Sequence, residues 1–201
     1  DGSTYQNESA YLISANGSFE MTQPGFSALT GRGNIAQCTL VLDNRTSRFS
    51  AANSNSPLFA SLVDGGSYQR RMYLDVSVDG ANYYRLFTGV IKAPTENSVT
   101  PRATNVINIE CRSLEDLYMN HRVSTTAAQF RAWADTPPHE DEIISDLLTL
   151  AGVNPDDTDL DGGMFVIPYA WADDEMAIDE CWRVAAACAG RFYYDPTTAK
   201  F

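Results

Sequence analysis

Histidine is nearly missing from this sequence, with two in 201 residues, and cysteine is scarce, with four. Positive charge is short as well: 14 lysines and arginines stand against 26 aspartates and glutamates. The formal net charge is -12 and the sequence pI is near 4.4. No apolar run approaches the roughly 20 residues a membrane-spanning helix needs, so membrane insertion is not expected. The acidic balance repels phosphate backbones, which argues against nucleic acid and against docking on anionic membranes. Cys38, Cys111, Cys181 and Cys188 are too few and too scattered for a disulfide scaffold, and read as buried thiols made in a reducing compartment. The opening DGSTYQNESA has neither the basic nor the apolar block of a signal peptide and no initiator methionine. We therefore expect a chain processed or cut from a longer one, with the sequons at Asn7, Asn16 and Asn44 occurring by chance.

What is present is ordinary globular material. With 44% hydrophobic and 20% charged residues, the chain has enough of both for one or two soluble domains. The patterning divides it near residue 122, into 1–122 and 123–201. The expected fold is mainly β, of the α+β class: a small antiparallel β-barrel followed by a small α/β unit of helices and a hairpin.

In the first part, Asn16-Gly17 between AYLIS and SFEMT predicts a tight hairpin. A strand is expected from Asn34 to Leu42, with Cys38, Leu40 and Leu42 on one face. The cleanest alternation puts Tyr68, Arg70, Met72, Leu74, Val76 and Val78 on one side of a strand. Asp79-Gly80 then turns the chain into a second strand, Tyr83 to Ile91. A polar loop with Pro94 and Pro101 leads to a last strand in which Ile107, Ile109 and Cys111 share a face. SLEDLYMN follows as a short helix with Ser113 as its N-cap.

In the second part, Ile143, Ile144, Leu147, Leu148 and Ala151 make the apolar stripe of a helix that starts in acids and stops at Gly152. MFVIPYAW is a strand candidate, with Pro168 implying an edge or bulge. Asp173-Asp174 opens a second helix carrying Met176, Cys181, Trp182, Ala185 and Cys188, ended by Gly190. RFYYDPTTAKF reads as a strand, a turn at Asp195-Pro196 and the start of a returning strand. An edge left open there suggests that the chain is truncated at its C-terminus.

The search for chemistry yields little. No G-x-S-x-G elbow, P-loop or H-E-x-x-H occurs, and no catalytic, cofactor-binding or metal-binding residue is assigned. His121 stands alone. His139 has only Glu140-Asp141-Glu142 beside it, and that cluster is better explained as the acidic start of a helix than as a metal site. Asp157-Thr158-Asp159-Leu160-Asp161-Gly162 has the spacing of a calcium loop, but Pro168 stands where the bidentate glutamate belongs; a solvated acidic turn fits better. Cys181 and Cys188, seven apart on a helix, have core rather than redox spacing. Glu20, Asp43, Glu96 and Glu110 leave a glycosidase carboxylate pair open. Tyr68, Tyr73, Tyr83, Tyr84 and Phe87 could stack on sugars or a partner, though aromatics on strands are more often cross-strand pairs. We expect no enzyme.

The remaining oddity is the stretch TLVLDNRTSRFSAANSNSPLF. A strand ends at Asp43-Asn44, and a long polar connection with isolated phenylalanines follows, of a length that is uncommon in compact domains. The series Leu40-Val41-Leu42-Asp43-Asn44, Arg48-Phe49-Ser50, Ser56-Pro57-Leu58-Phe59 and Leu86-Phe87-Thr88-Gly89-Val90-Ile91 resembles hub proteins at the tail tip or baseplate of long-tailed bacteriophages and prophages. ISDLLTLAGV and AAACAGRFYYD add a looser likeness in the second part. The resemblance implies a virion structural protein without enzymatic activity, made in the bacterial cytoplasm and located in the virion tail. Its partners would be itself, as a homotrimeric ring in the full-length protein, and other tail proteins. Hubs carry two related barrels per subunit and only one is visible here, which fits the expected truncation.

Two roles for the loop stay open. It could lie across a neighbouring subunit with Phe49 and Leu58-Phe59 as anchors, ordering little by itself, or Phe49 and Phe59 could pack onto their own barrel and close its open end. A carbohydrate-binding β-module and a cell-wall hydrolase of a tail tip are the alternative functions.

Overall fold

The computed structural model describes residues 5–18, 31–32, 35–50, 52–58, 70–99, 104–118, 120–125 and 137–201. The fold is mainly β with few helices, built around one curled antiparallel sheet of half-barrel form. The chain forms two compact units, Asp1–Phe19 with Ala36–Ser113, and Glu20–Ile35 with Leu114–Phe201. The sequence division at 122 thus lies nine residues beyond Ser113, where the main sheet and the first unit end, and the described residues before Ala36 include a piece of the second unit.

The first unit holds five strands: β1 (Leu12–Ser18), and, after the two-residue β2 (Gly31–Arg32) of the other unit, β3 (Gln37–Asp43), β4 (Arg71–Val76), β5 (Tyr84–Val99) and β6 (Thr104–Ser113). Their order is β1-β3-β6-β5-β4, antiparallel throughout. Alternation does its expected work: Cys38, Leu40 and Leu42 from β3 meet Ile107, Ile109 and Cys111 from β6 in the core, with Phe87 and Ile91 from β5. Met72 and Leu74 of β4 pack against that cluster. Gly89 is required where it stands, because a Cβ would press into the Arg112 carbonyl and the Phe87 ring.

Several expectations are corrected. Asn16-Gly17 makes no turn; both lie inside β1, paired with Thr39 and Cys38, because long-range pairing with β3 outweighs a local turn preference. Of the SFEMT half of that expected hairpin, Ser18 ends β1 and residues 19–22 lie outside the described residues, as do Tyr68, Gln69, Phe59, Pro101 and Glu20. The expected loop at Pro94 is strand, since β5 continues to Val99 opposite β6 after a register shift between Ile91 and Ala93. Proline is tolerated because β4 pairs with β5 only as far as Val90, leaving that side of Pro94 without a described partner strand. Ser113 ends β6 rather than lying just before the helix, which is α1 (Glu115–Tyr118).

The second unit packs α2 (Glu140–Leu150) and α3 (Ala177–Ala187) together, with their apolar stripes buried at Ile143, Ile144, Leu147 and Leu148 and at Ile178, Cys181, Trp182 and Ala185. Gly152, at φ +87, ends α2, and the Val153 N–H closes back on the Leu148 carbonyl at 2.9 Å. At the end of α3 the left-handed position falls on Ala189, φ 57, one residue before the expected Gly190. Three short strands complete the unit: β7 (Arg122–Val123) pairs with β8 (Glu175–Met176), and β9 (Arg191–Phe192) runs parallel to β2. The turn at Asp195 forms, with Asp195 bridged to Lys200. Phe201 is buried, stacked on Phe192 with ring centroids 5.8 Å apart, and exchanges backbone hydrogen bonds with Asp157 and Asp159. MFVIPYAW is not a strand. Only Val166 forms a bridge, to His139, and the rest follows an irregular course.

Candidate functional site

The loop after β3 is tied down by its own polar residues. The Asn44, Ser47, Ser50 and Asn53 carbonyls each accept the N–H three residues on, at 2.8, 3.3, 3.1 and 2.9 Å, so the chain climbs in successive turns. Asn44, fully buried, holds the first of them: its Oδ1 accepts the Phe49 N–H at 2.9 Å, and its Nδ2 donates to Ser50 Oγ at 3.2 Å and Glu96 Oε1 at 3.0 Å. Phe49 and Leu58 then reach the core of their own sheet, 1% and 5% exposed. Arg48 forms a fork on Glu8 at 2.6 and 2.9 Å, with its guanidinium over the Tyr11 ring. The loop is therefore not a loose excursion waiting for a neighbour. Of the two roles left open, Phe49 takes the second, and Phe59 lies outside the described residues.

Of the acids singled out in the sequence, the described ones are each engaged in hydrogen bonds within the fold. Glu96 joins Asn44 and Ser50, Asp43 binds Arg45, and Glu110 binds Arg112. Arg45, hydrogen-bonded to the Asp43 carboxylate, holds that carboxyl below its usual range. Glu142 caps the start of α2 by accepting the His139 N–H at 2.9 Å. Glu140 takes the N–H groups of Met164 and Phe165, both at 2.8 Å. Desolvation raises its carboxyl, but these amide donations, its own N–H and His139 outweigh that and leave it lowered. Among the described residues no three histidines, cysteines or acids gather into a metal-sized group, the Asp157-Asp159-Asp161 turn included.

All four cysteines are free thiols. Cys38, Cys111 and Cys181 are buried, and Cys188, expected to be buried with them, is half-exposed at the end of α3. Burial pushes the Cys38 thiol up to about 11 and raises the other three as well.

Among the described residues, two exposed apolar surfaces stand out. One is the far end of the β4–β5 hairpin, where Val76 pairs with Tyr84 beyond the core and Val78, Tyr83 and Leu86 are exposed. Its turn is self-contained: Asp79 accepts the N–H groups of Asn82 and Ala81, which hold its carboxyl far below the ordinary range. The tyrosines do not form one row. Tyr73 sits with Tyr5 and beneath Arg85 on the face that carries Asp75, while Tyr84 shares the other face with Val76. Phe87 is wholly buried.

The second surface is the stretch that sequence reasoning took for a strand. Met164, Phe165, Val166, Tyr169 and Trp171 are all exposed, on a ledge fixed to the start of α2. Glu140 holds two of its amides, Val166 bridges to His139, and the Ile167 N–H reaches the Pro138 carbonyl at 2.9 Å. Apolar side chains exposed together in this way make the ledge a candidate interaction surface. The missed signal was an apolar run around Pro168 with acids on both flanks.

No family model matches the sequence, and a search of curated proteins finds no relative.

Proposed function

We propose that this chain is a structural subunit of a phage or prophage tail hub, joining the tail tube to the tip or baseplate through a homotrimeric ring of the full-length protein. The observation that carries the reading is an open sheet. Neither outer edge, β1 or β4, has a strand partner among the described residues, and β1 is exposed along nearly all of its length. Edge strands left open are sites of pairing with another chain. The resemblance in LDN, RFS, SPLF and LFTGVI supports the same reading, because these segments together build the core end of the sheet through Asn44, Phe49, Leu58 and Phe87. The net charge of -12 suits a component past which DNA must slide without sticking.

The polar groups that could do chemistry support a non-enzymatic role, since Glu96, Glu110, Glu140 and Glu142 are each engaged in holding the fold. The test is the solution mass of the full-length protein with electron micrographs of the same sample. Trimeric rings are expected; a monomer at high concentration, or hydrolysis of a cell-wall polymer, would count against the proposal.

A further inference from the structure

The segment that leads into β1 carries a tyrosine to the opposite edge of the sheet. Tyr5 and Tyr73 are 68 residues apart in the chain, yet their hydroxyls share a hydrogen bond of 2.6 Å. Their ring centroids lie 4.5 Å apart, with the planes tilted by 46°. Because β1 and β4 are the two outer strands, the pair connects the approach to one edge with the other edge itself. Tyr73 is held in place: the Arg85 guanidinium lies 3.8 Å over its ring and is fixed in turn on Asp75 at 2.6 Å. Tyr5 is 52% exposed, so small reagents reach it.

Two phenols fixed head to head have a chemistry that neither has alone. Packing of aromatic rings does not require their hydroxyls to meet. Here they do meet, which brings together the ring carbons beside them. We propose that Tyr5 and Tyr73 form an oxidative cross-linking site, joined by a carbon–carbon bond when the protein meets hydrogen peroxide and a haem peroxidase. Each tyrosine gives up one electron and its phenolic proton and becomes a phenoxyl radical. The two radicals join ortho carbon to ortho carbon; each of those carbons then releases its hydrogen as a proton while each oxygen takes one up, which restores both phenols. The peroxide O–O bond breaks, and its oxygens take the two electrons and two protons to leave as two waters. The new bond staples the leading segment to β4. It also closes a long loop in the unfolded chain, which favours the folded state.

The test uses the 201-residue chain in dilute solution, treated with hydrogen peroxide and a haem peroxidase. The expected product has the mass of one subunit less two hydrogens, shows the blue fluorescence of dityrosine, and maps to a link between Tyr5 and Tyr73. Tyr5→Phe and Tyr73→Phe each remove one hydroxyl with little change of shape, and each should abolish that product; circular dichroism checks that both fold. Changing Tyr83→Phe and Tyr84→Phe together, at positions 69% and 62% exposed, should leave it intact. The linked chain should melt at a higher temperature than the untreated one. Dityrosine found only in products of double mass, or a single-subunit product that persists in Tyr5→Phe or is lost with Tyr83 and Tyr84, overturns the assignment. A linked chain that melts no higher would mean that the bond forms outside the native pair, and overturns it equally.

Discussion

The side-chain oxygen of Asn44 accepts the backbone N–H of Phe49 at 2.9 Å, and this bond turns the end of β3 into the beginning of a folded loop. Asn44 Nδ2 reaches across to Glu96 on β5, so one buried amide joins a strand end, a loop and a second strand. Replacing it by Ala strands the Phe49 amide. Asn44→Ala should cost about 2–4 kcal/mol, the range for losing several buried hydrogen bonds at once. Arg45→Ala, on an exposed neighbour, should stay within about 0.5 kcal/mol. Urea unfolding of both variants checks the contrast; equal small losses would mean that the loop does not depend on Asn44.

Deleting Arg48–Ser56 follows the same logic. The deletion takes Phe49 out of the core, so it should impair folding itself rather than assembly alone.

The Glu140 clamp makes the ledge sensitive to acid. Its carboxyl is lowered from 4.5 in the folded protein, so its contribution is complete above that value and is lost as pH falls through the depressed one. Ledge amides Met164 and Phe165 should therefore be protected from hydrogen exchange at neutral pH and lose protection in acid. Glu140→Gln should show the weaker protection at both pH values. A variant with wild-type protection at neutral pH would remove the clamp from the account.

Ala189 holds a left-handed backbone at the end of α3, a conformation that disfavours a Cβ. Ala189→Gly should raise stability by about 0.5–1 kcal/mol, the relief being partly offset by the greater freedom of glycine in the unfolded chain. A lower melting temperature would contradict that reading of the helix end.

The thiols should react in order of access. Alkylation of native protein near pH 8 should mark Cys188 first and leave Cys38, Cys111 and Cys181 unmodified until the protein unfolds. Early labelling of Cys111 would show that the sheet opens in solution.

Strands were legible wherever one face alone is buried, as at Cys38-Leu40-Leu42 and Ile107-Ile109-Cys111, and helix α2 was legible from its stripe, acids and Gly152. Long-range pairing was not. Nothing local in Asn16-Gly17 reveals that β3 will take it as strand, or in Pro94 that β5 continues through it. The loop was visible as an anomaly but its cause was not, since burying Asn44 depends on Glu96, far along the chain. A trace was present all the same: Asn44, Ser47, Ser50, Asn53 and Ser56 recur every third residue, the spacing of the turns they build. The ledge was read as a strand because apolar runs and strands share composition, and Glu140's hold on its backbone is a tertiary fact.

Assembly of the full-length protein is decided by its mass in light scattering, on samples also imaged by electron microscopy. A trimer with ring-shaped particles is expected. A mass equal to one subunit at high concentration, with no rings on the grid, would contradict it.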